Sequence, residues 1–331
     1  MTRTSYFASP YIVASTLLQV QFSPSTQYLN KFRKISETTD YSNVNDSNDT
    51  DTVSESESDF EMVQDLSGYL LSNSLKQNQP FQLPPLPNSV TEVMVTISKN
   101  KVEGFTALWK CQFVEWFLDM SNYLVNPTVE ASIAELLDIN DDVIPLADLD
   151  TDRALINLTA RVTGSIITGL LLSPLDIVKT RLIVQTSHPI HKTYKSTLDC
   201  FSKVVFSEDT TRTIFPTILY HSVANLMYHS KYLVISKILP LTTSPILLAL
   251  SQFTFDILNL VVTFPLDTVR KRLYAQYFDI YKGANQMETC VLINPIPYAG
   301  FFNCFSRIVI EEGGDIIGKN GKVKEKRRWF F

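Results

Sequence analysis

The chain has 331 residues, 45% of them hydrophobic, and a formal net charge of −5. That length admits two soluble domains or one bundle that crosses a membrane several times, and so mild a charge gives no reason to expect a nucleic-acid partner. The four cysteines, Cys111, Cys200, Cys290 and Cys304, have no CxxC or metal-type spacing, so neither a metal site nor a disulfide framework is expected.

The N-terminus shows neither a secretory pattern nor an Arg-rich, acid-poor presequence, so any organelle targeting is expected to be internal. The first ordered stretch is "SPYIVASTLLQVQ", residues 9–21. Charge is then distributed very unevenly. From Ile35 to Leu75 there is no Lys or Arg, while Glu37, Asp40, Asp46, Asp49, Asp51, Glu55, Glu57, Asp59, Glu61 and Asp65 are all acidic. A run so rich in Ser, Asn, Asp and Glu buries too little apolar surface to offset its ordering entropy. Residues 36–60 are read as disordered, and "PFQLPPLP" (80–87) as an extended linker. The acidic run is also a docking surface for a basic partner, if it is more than a solvated linker.

Over 105–124, Phe105, Leu108, Trp109, Phe113, Trp116, Phe117, Met120 and Leu124 recur at helical spacing, interrupted by Lys110, Glu115 and Asp119. That predicts an amphipathic helix with one face on lipid and the other on a polar cavity. A span needs about 20 mainly apolar residues. Residues 154–175 carry only Arg161, with Gly164 and Gly169 allowing close helix packing. Residues 213–230 are free of charge up to Lys231, and 241–266 are apolar except for Asp256. An acid alone in such a span is a candidate functional group, unless it pairs with Lys237 or another helix's polar group. His188 and His191 flank Pro189 in a loop and have no metal-type spacing.

Internal repetition organises these pieces. "PLDIVKTRLIVQ" (174–185) matches "PLDTVRKRLYAQ" (265–276) in register, so Pro, Asp, base, Arg and Gln fall at the same offsets. Each is followed by a second block, "CFSKVVFSE" (200–208) or "CFSRIVIEE" (304–312), with a tyrosine, Tyr194 or Tyr298, six residues ahead of the cysteine. The longer spacing in the second case falls between Gln276 and Tyr298. A worn first copy keeps Pro10 and Gln21 but has Ile12 at the acid position and Ser15 at the base position. Its second half is "VEGFTALWKC" (102–111), where Glu103-Gly104 aligns with Glu312-Gly313.

Three units of this kind resemble the mitochondrial carrier family, over most of 1–21 and 91–317. The resemblance implies an all-α membrane protein, a tandem-repeat helical bundle with an eroded first repeat and a truncated third. The divisions expected are the degenerate start of repeat 1 (1–35), the acidic insertion with its Pro-rich linker (36–90), the remainder of repeat 1 (91–140), repeat 2 (141–240) and an incomplete repeat 3 with a basic tail (241–331). That tail carries Lys319, Lys322, Lys324, Lys326, Arg327 and Arg328, a pattern suited to anionic lipid.

In carriers, the proline kinks each odd helix and the acid of one repeat pairs with the base of the next. Carried over here, Pro174, Asp176, Lys179, Pro265, Asp267 and Arg270 are gate residues. Asp176 is expected to face Arg270, whereas Asp267 meets Ser15 and Lys179 meets Ile12, so two of three pairs are lost. At the other mouth Tyr228-His229-Ser230-Lys231 keeps the aromatic and the base without the acid, and Phe117-Leu118-Asp119 is out of pattern. His221 and Asn225 are candidates for contact with a solute, without forming a recognisable substrate set.

Within the family the chain is most similar to a divergent fungal branch of the mitochondrial outer membrane. By that resemblance it is a non-transporting scaffold in mitochondrial fusion, linking the fusion GTPases of the two membranes. Membrane lipid is a further partner and a homo-oligomer is possible. The alternative is an inner-membrane solute carrier. No catalytic constellation, phosphate loop or cofactor motif is present in the sequence, so an enzyme is not expected.

Overall fold

In the computed structural model the described residues are 3–23, 63–64, 70–71, 81–137, 151–207, 210–238, 245–276, 287–294, 296–312, 316–317 and 323–325. Most of the acidic run and most of the basic tail therefore lie outside the described residues. Among those described, the chain forms eight α-helices: α1 (Arg3–Val20), α2 (Val90–Lys99), α3 (Gln112–Leu136), α4 (Thr151–Val184), α5 (Thr197–Phe206), α6 (Thr211–Ile238), α7 (Pro245–Ala275) and α8 (Phe301–Arg307). Two short antiparallel pairs, Val63–Gln64 with Leu70–Leu71 and Ile316–Ile317 with Val323–Glu325, are additions to the expected all-α pattern.

The prolines do not break the long helices. α4 runs through Pro174 and α7 through Pro265. Proline at 174 deprives the Leu170 carbonyl of its usual N–H donor. The neighbouring Ser173 hydroxyl donates to that carbonyl at 2.9 Å, so Ser-Pro lets the helix continue. At 34 and 31 residues, α4 and α7 are about 51 and 46 Å long, more than a bilayer's hydrocarbon core requires. Leu155–Val184 and Ile246–Ala275 are long and apolar enough to cross a membrane. Only 6% of the apolar stretch of α7 is buried, with Ile246, Leu250, Phe253 and Leu260 all exposed. An apolar surface of that extent needs a non-aqueous neighbour.

The amphipathic helix expected over 105–124 is shifted. Phe105–Trp109 is a 3-10 turn led by Gly104 at φ 69°, a left-handed conformation that suits glycine, and α3 begins only at Gln112. It then continues through Pro127 to Leu136. Successive long helices pack side by side: α3 on α4, α4 on α6, and α6 on α7, with α1 touching α3, α4 and α7. Gly164 and Gly169 mark two of these crossings. A Cβ on Gly164 would stand 3.1 Å from Glu130 Cγ of α3, and one on Gly169 only 2.4 Å from His221 Cδ2 of α6.

The main core sits at one end of the bundle and draws on all three repeats: Val13 and Leu17 of α1, Ile177 and Val184 of α4, and Tyr274 of α7. Each repeat adds a short helix that buries two residues four apart. These are Val93 and Ile97 on α2, Cys200 and Val204 on α5, and Cys304 followed by Ile308 on α8 and the π turn after it. The Pro-rich "linker" is part of this core. Phe81, Leu83 and Leu86 are buried, and the Leu83 amide donates to the Cys290 carbonyl at 2.7 Å. Its alternation of leucines with prolines fits an extended segment that buries one edge.

The glutamine of each repeat fixes where the chain returns. Gln185 accepts from the Tyr194 amide at 2.7 Å, Gln276 from the Tyr298 amide at 2.8 Å, and Gln21 from the Leu86 amide at 3.2 Å.

Candidate solute cavity and its closed end

Between α3, α4, α6 and α7 lies a cavity of about 440 Å³. α3 lines it with Asn122, Asn126 and Glu130, four residues apart, and α6 with His221, Asn225 and His229 at the same spacing. A four-residue step keeps side chains on one helix face. The two polar stripes therefore face a common space. Asn126 donates to Glu130 at 2.9 Å and Asn225 to the His221 carbonyl at 2.9 Å. α4 contributes Ser165 and Thr168, and the hydroxyl of Thr168 is buried with no partner in the protein. His221 and Asn225 were legible as candidates. The α3 stripe was missed, although polar residues at 122, 126 and 130 in an amphipathic helix carry that signal.

The four charged gate residues, Asp176, Lys179, Asp267 and Arg270, close one end. Arg270 Nη1 stands 3.0 Å from Asp176 Oδ2, and Arg270 Nη2 stands 2.9 Å from Asp267 Oδ1. The guanidinium also lies over the Tyr220 ring, 4.0 Å from its centroid. Such stacking suits a planar cation in a dry site.

The other charges find substitutes for the partners lost at positions 12 and 15. Lys179 pairs with Glu115 of α3 at 2.6 Å. Asp267 takes Lys271 of its own helix at 2.8 Å and accepts from Gln19 of α1 at 3.4 Å, while Lys271 donates to Gln19 at 2.8 Å. Ile12 has no charge to offer and packs on the core, and the Ser15 hydroxyl donates to the Ile12 carbonyl at 3.1 Å. Pro10, like Pro174 and Pro265, sits inside its helix.

A second ring, unforeseen from the sequence, lies beyond the first. Arg181 donates to the Tyr274 and Gln276 carbonyls at 3.0 and 3.2 Å, capping the end of α7. Arg272 donates to the Gln19 and Gln21 carbonyls at 2.9 and 3.1 Å, capping the end of α1, and forks onto Glu312. Leu17 holds the corresponding position in repeat 1. Lys110 takes over instead: it pairs with Glu103 and donates to the Gln185 carbonyl at 2.8 Å at the end of α4. Each cation thus neutralises the partial negative charge of another repeat's helix end.

At the other mouth Lys231 of α6 pairs with Asp256 of α7 at 3.0 Å and stands over the Tyr228 ring. Asp256 thus has a partner in Lys231, a polar group of another helix. His191 pairs with Glu288 at 2.7 Å and stacks on Phe81. Among the described residues no group of three or more His, Cys, Asp or Glu side chains is arranged to hold a metal ion.

No curated protein matches the chain. Residues 150–240, which hold α4, α5 and α6, match the family model described as Mitochondrial carrier protein, and the fold is an all-α bundle of that carrier type.

Proposed function

We propose that the chain is a carrier-fold protein of a mitochondrial membrane that works as a scaffold rather than as an exchanger. One observation carries this reading. Of the three acid–base pairs that a carrier ring would place between α1, α4 and α7, only Asp176–Arg270 is formed. Asp267 pairs with Lys271 of its own helix, with the uncharged Gln19 of α1 beside both, and Lys179 pairs with Glu115 of α3. The Asp267–Lys271 pair lies within one helix and gains nothing when neighbouring repeats part or rejoin, and Lys179–Glu115 does not tie α4 to α1 or α7. A two-state transport cycle needs interactions that differ between its states. Neither an enzyme nor a cofactor belongs to this reading.

In its fuller form, the scaffold sits in the outer membrane and links fusion GTPases of the two membranes, with lipid around it. That part rests on the resemblance of the repeats alone. A tag placed within 37–65 tests the compartment. In an inner-membrane carrier of the usual orientation this loop faces the matrix. Cleavage by protease while the inner membrane is sealed supports the outer-membrane scaffold, and protection until that membrane is opened overturns it.

The second reading is an inner-membrane solute carrier. It is favoured by the facing stripes of Asn122, Asn126 and Glu130 and of His221, Asn225 and His229. Uptake of labelled solutes by vesicles holding the full chain supports this reading over the scaffold.

A further inference from the structure

Between Gln276 and Tyr298 the third repeat is longer than the second, and the described part of that excess does not sit at the rim. Residues 287–294 cross the closed end. The Cys290 amide donates to the Val184 carbonyl at the end of α4 at 2.8 Å. The Cys290 carbonyl accepts from the Leu83 amide at 2.7 Å, and the Leu292 carbonyl from the Phe22 amide just past α1, also at 2.7 Å. Gln185 and Thr289 form an antiparallel bridge. Met287, Cys290 and Val291 are buried in the main core, beside residues from repeats 1 and 2. Farther along, Asn294 donates to Glu311 at 2.9 Å and so is tied to repeat 3.

We infer that residues 287–294 are a strap that holds this end of the bundle shut in the working protein, so that the cavity is reached from one side only. The inference deepens the non-exchanging reading and rests on it, while requiring nothing of the fusion role. For the ends of α1 and α4 to separate, the strap must give up backbone bonds to both and lift three apolar side chains out of the core. Buried backbone groups left without partners resist that motion. The ion-pair ring alone lacks this property, because its charges exchange partners as the helices move. The strap lies outside both candidate spans, and its bond to Val184 is at the end of one of them.

The test uses the full chain in lipid vesicles with Thr168→Cys as a reporter in the cavity, read by a membrane-impermeant maleimide added to either side. The four native thiols are buried, and the parent chain gives their background. The expected result is labelling from the open side only, and at least tenfold faster labelling from the closed side once Cys290→Pro removes the amide bonded to Val184. Labelling from both sides without Cys290→Pro overturns the strap and the non-exchanging reading together. One-sided labelling that Cys290→Pro leaves unchanged overturns the strap alone.

Amide hydrogen exchange on the unaltered chain does not depend on how that variant folds. The strap requires the amides of Phe22, Leu83 and Cys290 to exchange as slowly as the buried turns of α4. Exchange at the rate of open loop overturns it.

Discussion

Lys179 of α4 stands 2.6 Å from Glu115 of α3, so the base of the second repeat is held by an acid on the helix before it and not by an acid on α1. Both side chains are largely buried, at 16% and 12% exposure. Removing one partner of such a pair strands a charge, whereas removing both does not. Glu115→Gln is expected to cost about 3 kcal/mol. Glu115→Gln with Lys179→Met should recover most of that loss. Thermal unfolding in detergent reads both variants.

Arg270 makes the simplest test of its pair uninformative. Charge exchange by Asp176→Lys and Arg270→Asp preserves the pair on paper, but position 270 also faces Asp267 and Tyr220. An acid there meets a second acid and loses the ring. Arg270→Asp alone meets two acids and the double variant only one, so the double variant is expected to recover only part of the loss. Recovery to the level of the native chain would show that Asp176 is the only neighbour of consequence.

Gly169 admits the His221 ring between α4 and α6. Adding one methyl there forces the imidazole out of its place, since the new Cβ would lie 2.4 Å from Cδ2. Overpacking of this kind costs about 1–3 kcal/mol. Gly169→Ala should therefore destabilise the chain, and a further His221→Ala should remove that effect. A double-mutant cycle on denaturation midpoints measures the coupling.

Lys110 stands in for the arginine that repeat 1 lacks. Its loss leaves the Gln185 carbonyl and Glu103 without their cation. Lys110→Met is expected to cost about 2–3 kcal/mol. Adding Leu17→Arg should not rescue it, because Leu17 is buried in the apolar core. Chemical denaturation of the three chains decides.

Cys290 and Cys304 are pushed up to about 12 from an ordinary 9.0 by burial. In the unfolded chain both thiols lose their protons near 9.0, while in the folded chain they keep them to about 12. Between those values the folded state binds more protons, so stability falls as pH rises. At about pH 10.5 the loss is at most about 2 kcal/mol per thiol. Cys290→Ala should flatten the slope between about pH 8 and pH 10.5 by one thiol's share.

The repeats were legible because side-chain chemistry at fixed offsets survives in the letters: Pro, Asp, base, Arg and Gln at 174–185 and again at 265–276. The Asp176–Arg270 contact is what the resemblance to carriers implied for those positions. What replaced the missing partners was not legible. Glu115 and Gln19 sit on other helices, and no spacing along the chain says which groups a bundle brings within 3 Å. The roles of Lys110 and Arg272 were hidden for a different reason. They bind backbone carbonyls, which every residue carries, so the acceptor leaves no mark in the sequence. The Pro-rich 80–87 segment misled because composition alone does not distinguish a solvated linker from an extended strand of core.

The three glutamine bonds join residues 9, 22 and 65 positions apart along the chain. An amide can be supplied by any non-proline residue, so Leu86 serves where Tyr194 and Tyr298 serve elsewhere. Closing the longest of these loops rather than the shortest costs only about 1.8 kcal/mol of chain entropy. The clamp therefore uncouples what is inserted from how the helices pack. Long stretches of new sequence can be gained or discarded between helix end and clamp without disturbing the bundle, which makes these loops the places where such a chain can acquire new partners.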